Sequence, residues 1–162
     1  MTTRLVVSDT SPIRVLHHLA QLHLLGEFFD EVLIPPAVAR ELQATESRLV
    51  PVPIAEVPKC RIETPKDAAA VKALETELQP GEAEAIVLAR EHQAELLIDE
   101  RMGRLVARRL GIGHTGVIGL LVRAKQKHLI PTVLPLVLRA RDEMNFFVSD
   151  AVIEQIRRLA GE

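Results

Sequence analysis

The stretch Leu5 to Ser11, LVVSDTS, constrains the fold of this chain more than any other. An apolar, β-branched run with no polar alternation reads as a strand buried on both faces, the kind found in parallel sheets covered by helices. The run stops at Asp9, and Thr10 and Ser11 turn the chain into a helical pattern. Ligand sites of open α/β sheets lie at such carboxyl ends of strands. One acid there says little alone, so its meaning depends on which other residues reach the same rim.

Composition bounds what that rim can serve. With 48% hydrophobic residues among 162, the chain has apolar material for a real core, is expected to form a single domain over residues 1–162, and does not read as disordered. Its apolar stretches are broken well short of the roughly 18 residues that a membrane span needs, and no basic-then-apolar leader pattern opens it. A cytoplasmic location is expected. Cys60 is the single cysteine, so neither an intrachain disulfide nor a cysteine metal cage is available. The net charge of −2 leaves any nucleic-acid contact to local patches. With no Trp or Tyr and only four Phe, a base-stacking platform is not expected, whereas contacts to a sugar-phosphate backbone remain open.

Along the chain, Ser11 to Leu25 reads as a helix capped by Ser11, with Pro12 at its first position and Gly26 closing the segment. Its histidines, His17, His18 and His23, form no HExxH or i, i+4 pair and read as surface residues, not zinc ligands. Glu31 to Ile34 is a short β-branched run. Pro35 and Pro36 then open a helix on which Val38 and Leu42 face the core, with Glu41 at the edge of that face. Val50 to Pro65, with four prolines, suits an edge strand or an extended connection. Asp67 to Leu78 returns to helical spacing, with Asp67 as its cap.

Gly81 to Ala89, GEAEAIVLA, starts a helix at a Pro-Gly turn. Glu82 shares a stripe with Ile86 and Ala89, which must pack on the sheet, while Glu84 falls on the other side. An acid on a buried stripe needs a partner, a cation or a function, so Glu82 is favoured over Glu84 as an inward-facing ligand. Glu95 to Ile98 is a second strand ending at acids, Asp99 and Glu100, followed by a helix from Arg101 to Leu110. Arg104 and Arg108 can form a phosphate-facing edge on that helix. Thr115 and Gly116 sit at the next strand-to-helix turn, ahead of a helix from Val117 to His128 carrying Arg123, Lys125 and Lys127. Pro131 and Pro135 open a further helix ending near Glu143. Asn145 to Val148 reads as short and β-like, and Ser149 or Asp150 caps a last helix from Ala151 to Leu159.

If the strands are parallel, Asp9, Glu41, Glu82 and the pair Asp99-Glu100 can converge on one rim. Clustered carboxylates cannot all stay ionised without a cation, and an all-oxygen set suits Mg2+ or Mn2+ better than zinc.

The order D-T-S at the first strand end, P-P-x-V-x-x-E-L on an early helix, G-E-x-E-A-I-x-L-A on a middle helix and L-L-I-D-E before an arginine-rich helix resembles the PIN-domain nucleases. The resemblance is strongest to the branch related to VapC-type toxins and runs from Leu5 to Leu129. It implies an α/β three-layer α/β/α sandwich around a mostly parallel central sheet and a ribonuclease dependent on Mg2+ or Mn2+. It also implies dimers and, for the toxin branch, an antitoxin protein covering the acidic groove. The carried-over acids are Asp9, Glu41, Glu82 and Asp99 or Glu100, with Asp99 ranked first as the strand's terminal residue. Two features depart from the commoner pattern, a glutamate in the third place and an adjacent acid pair in the fourth. On this reading Ser11 or Thr115 positions a phosphate oxygen or a water, and Arg101, Arg104, Lys125 and Lys127 contact the RNA backbone. Two other classes fit parts of the pattern, a binding or scaffold protein on the same fold with a decayed site, and a phosphotransfer receiver built on Asp9. The second predicts another acid beside Asp9, where Ser11 stands.

Overall fold

A computed structural model describes residues 3–44 and 50–162. Five strands form one sheet: β1 (Leu5–Ser8), β2 (Glu31–Ile34), β3 (Cys60–Ile62), β4 (Glu95–Leu97) and β5 (His114–Thr115). Their order is β3-β2-β1-β4-β5 and every pairing is parallel. The register sets Val7 opposite Leu33 on one side and Leu96 on the other, and Ser8 opposite Leu97.

Helices α1 (Thr10–His18), α2 (Leu24–Phe28) and α3 (Pro36–Gln43) separate the first strands. They are followed by α4 (Ala68–Leu74), α5 (Pro80–His92), α6 (Arg101–Arg109), α7 (Val117–Gln126), α8 (Leu134–Met144) and α9 (Asp150–Ala160). Alternation along each strand divides the core in two. Val6, Val32, Ile34 and Leu97 pack with apolar side chains of α1, α2, α3, α7, α8 and α9. Val7, Leu33, Leu96 and Ile98 pack with Ala85, Ile86, Leu88 and Ala89 of α5 and Val106 of α6. The result is a three-layer α/β/α sandwich. Central strands buried on both faces explain the continuous apolar runs in the sequence.

The prolines act as the sequence suggests at α3, and β3 is an edge strand. Asp67 caps α4 by accepting from the Ala70 N–H at 3.0 Å, and Ser149 caps α9 by accepting from Val152 at 3.2 Å.

Three local expectations are corrected. The first helix begins at Thr10, placing Asp9 and not Ser11 at the cap and Pro12 at the third helical position. It ends at His18, and Ala20 turns the chain with a positive φ of 57°. That turn lets Leu22, Leu24, Leu25 and Phe28 enter the same core, with Gly26 inside α2 instead of closing the segment. Asn145 to Val148 forms no strand. Asn145 ends α8 in the left-handed conformation, and the run connects α8 to α9 away from any sheet partner.

Strand order places the topological switch between β1 and β4, because the chain grows outward from β1 through β2 and then returns to β1's other side. Crevices at such switches are where open parallel sheets bind ligands.

Candidate active site

Asp9 follows β1 and Asp99 follows β4, so the two acids flank this switch. The Asp9 N–H donates to the Leu97 carbonyl at 2.9 Å, extending the ladder to the last residue before α1. An aspartate at a helix cap ordinarily accepts from the second or third N–H of the helix. The third residue here is Pro12, which has no N–H, and the Asp9 carboxylate makes no capping hydrogen bond. It instead lines a groove of about 1550 Å³.

Asp9 is only 3% exposed. Burial raises its pKa from 3.8 to about 7; the neighbouring Thr10 N–H opposes the rise, while the charges of Glu82, Glu41 and Glu100 add to it. The acids that press on Asp9 thus come from three other elements.

Glu41 arrives from α3. Its carboxylate accepts from the Thr10 hydroxyl. Arg14, one turn further along α1, donates to the Glu41 backbone carbonyl and to the Val50 carbonyl at 2.9 Å. Thr10 and Arg14 together tie α3 to α1 at the rim.

Glu82 is the third residue of α5. Its Oε1 accepts from the Gln79 N–H at 3.3 Å, satisfying a donor that the start of a helix leaves open. Burial raises its pKa, and Glu100 and Glu41 push it the same way. Glu84 lies outside the groove lining; burial raises its pKa, and the Ala37 backbone N–H at the start of α3 opposes the rise.

Asp99 Oδ1 accepts from the Val117 N–H at 3.1 Å, at the start of α7. Its Oδ2 is buried with no hydrogen-bond partner among the described residues. Burial raises its pKa to about 6 against the Val117 N–H and the Arg104 charge, which lower it. Glu100, next in sequence, is exposed at the cap of α6 and also lines the groove.

Of the other residues singled out, Ser11, Thr115, Arg101 and Arg104 line the groove. The Thr115 hydroxyl donates to Glu95 Oε1 at 2.8 Å, an oxygen that Arg123 also approaches at 3.3 Å. Lys125 and Lys127 are not among the lining residues, and Lys125 Nζ is held by Glu162 at 2.9 Å. The groove continues past the acids along Ile118, Val122, Met144, Phe146 and Val152, with Phe147 86% exposed at its edge. Sequence reading missed Thr10 and Arg14 and gave Arg123 no role. For Thr10 the signal was present, in the triplet with Asp9 and Ser11. For Arg14 and Arg123 it was not, because their partners are distant in sequence.

Among the described residues no three His, Cys, Asp or Glu side chains form a ready-made ion cage, so fit is judged from the donor set and its setting. All four inward acids offer oxygen, as Mg2+ and Mn2+ require. The Asp99 oxygen without a partner and the mutual pressure among Asp9, Glu41 and Glu82 are deficits that a divalent cation relieves. The residues present therefore fit such an ion.

Among the described residues, no helix is long and apolar enough to cross a membrane. In comparison with known proteins, a family model described as a PIN domain matches residues 5–162. No curated protein matches the chain in sequence.

Proposed function

The chain belongs to the PIN-domain family, whose members are generally nucleases, and on that premise we propose that it is an endoribonuclease that hydrolyses RNA phosphodiester bonds with Mg2+ or Mn2+. One observation carries this reading: the switch between β1 and β4 gathers acids from four separate elements in one groove, with Asp9 buried among like charges.

Asp9, Glu41, Glu82 and Asp99 are the residues that would hold the ion, with Glu100 as the exposed neighbour able to reach the same groove. When bound, such an ion lowers the pKa of an attacking water and places positive charge against the phosphate oxygens. Three of these acids are each held by a different device. Thr10 orients Glu41, the start of α5 orients Glu82, and the start of α7 holds one oxygen of Asp99 while the other is buried without a hydrogen-bond partner among the described residues. Ser11 offers a hydroxyl at the groove for a phosphate oxygen or a water, and Thr115 can do so once it leaves Glu95. Arg101 and Arg104 supply positive charge on the groove wall for the RNA backbone. In the toxin reading, the apolar end of the groove at Phe146 and Phe147 takes an antitoxin segment, and the active form is a homodimer in the cytoplasm.

Cleavage of single-stranded RNA in Mg2+ or Mn2+, comparing the natural chain with Asp9→Asn, tests the proposal. Asp9→Asn is expected to lose at least about a hundredfold in rate, the scale on which removal of one charge-stabilising group acts. Cleavage that survives the substitution, or that persists in EDTA, overturns it.

A further inference from the structure

Six of the eight glycines lack the positive φ that would call for glycine, and three of these six lie against acids of the groove. Gly81 is the second residue of α5 and Gly103 the third of α6, and both are buried in helices, where glycine is among the least favoured residues. Gly116 precedes α7 at φ −101°, a value open to any residue. None of the three has a positive φ, unlike Gly111 and Gly161.

Close approach explains them. A Cβ on Gly81 would lie 2.7 Å from Glu41 Oε1. On Gly103 it would lie 3.0 Å from Glu82 Oε2 and 2.4 Å from the Ile98 Cδ1 methyl. On Gly116 it would lie 2.4 Å from Asp99 Oδ1, the oxygen that accepts from Val117. Each glycine abuts a different acid of the groove, and each comes from the start of a different helix. By contrast, a Cβ on Gly113 would meet nothing within 4 Å among the described residues.

We propose that Gly81, Gly103 and Gly116 are positioning residues, whose missing side chains provide the space in which Glu41, Glu82 and Asp99 meet a shared divalent cation. The inference rests on the nuclease reading above. A methyl group at Gly81 or Gly116 meets a carboxylate first, whereas at Gly103 it presses on the buried Ile98 side chain as well as on Glu82. The buried Asp99 Oδ2 with no partner is the independent sign that this space faces a ligand.

The test measures Mn2+ affinity by calorimetry, together with the thermal midpoint in EDTA, for Gly81→Ala, Gly116→Ala and the control Gly113→Ala. The first two are expected to bind Mn2+ at least tenfold more weakly, and Gly81→Ala to unfold in EDTA no earlier than the natural chain. Gly113→Ala is expected to match it in both. Shortening the acid by one methylene should restore room, so Gly81→Ala with Glu41→Asp is expected to bind more tightly than Gly81→Ala alone. Should Gly116→Ala fail to fold, Gly81→Ala and its rescue by Glu41→Asp carry the test. Natural-chain affinity in Gly81→Ala and Gly116→Ala, or no rescue by the shortened acid, overturns the positioning role alone. A natural chain that binds no Mn2+ overturns the metal reading and the inference with it.

Discussion

Asp9 is a carboxylate that the fold prefers to keep protonated, and this gives the protein an unusual dependence on pH. Its pKa is about 7 in the fold against 3.8 ordinarily, and that of Asp99 is about 6. Below about pH 4 both states hold these protons and the shifts change nothing. As pH rises from about 4 to 7 the unfolded chain releases protons that the fold retains, so stability falls across that window, with the full deficit present above it. Thermal unfolding in EDTA is therefore expected to show a higher midpoint at pH 5 than at pH 8. Asp9→Asn should flatten the difference and raise the midpoint at pH 8. Added Mn2+ at pH 8 should stabilise the natural chain, because ligand binding to the folded state alone favours it. A natural chain more stable at pH 8 than at pH 5 in EDTA, with Asp9→Asn unchanged from it, contradicts the account of Asp9.

Helix starts do most of the positioning, and two of them separate local stability from function. Glu82 both satisfies the Gln79 N–H and faces the groove. In Glu82→Gln the amide oxygen can still accept that bond, so the midpoint in EDTA should hold or rise slightly as a disfavoured charge is removed, while Mn2+ affinity falls. Glu82→Ala loses both, with a stability cost of about 1 kcal/mol of the kind seen when a helix start loses its cap. The second case divides the basic residues. Arg104 lines the groove, whereas Lys125 is engaged by Glu162, whose carboxylate also accepts from Val133 at 2.7 Å and Leu134 at 3.0 Å at the start of α8. Arg104→Ala should weaken RNA binding and reduce the slope of log affinity against log salt by about 0.7, the value for one phosphate contact on a single strand. Lys125→Ala should lower the thermal midpoint and leave that slope alone. Fluorescence anisotropy over a salt series, with a melting curve for each variant, separates the two outcomes.

At the scale of the whole molecule, stability and site are built on different parts of the same strands. Leu33 and Leu96 are fully buried under α5, and Leu33→Ala is expected to cost about 2–5 kcal/mol. The folded fraction should keep its Mn2+ affinity, because Leu33 does not line the groove; urea unfolding and calorimetry on one sample check both halves. By itself, the sequence determined what depends on near neighbours: that a buried strand opens at Leu5, that Glu31–Ile34 is a β-branched run, that prolines start α3, that Asp67 caps a helix and Ser149 or Asp150 the last one, and that acids stand at Asp9 and Asp99. Short-range periodicity and capping chemistry act over a few residues and can be read off the chain. Tertiary structure decided the rest. Strand order put β4 beside β1 and so set Asp99 and Asp9 along one groove, two residues far apart in the chain that no local pattern links. It also turned the chain at Ala20, left Asn145 to Val148 without a strand partner, and engaged Thr115 and Lys125 with Glu95 and Glu162. LVVSDTS announced an acid at a strand end; only the packing of other elements around it made that carboxylate buried and crowded by its own kind.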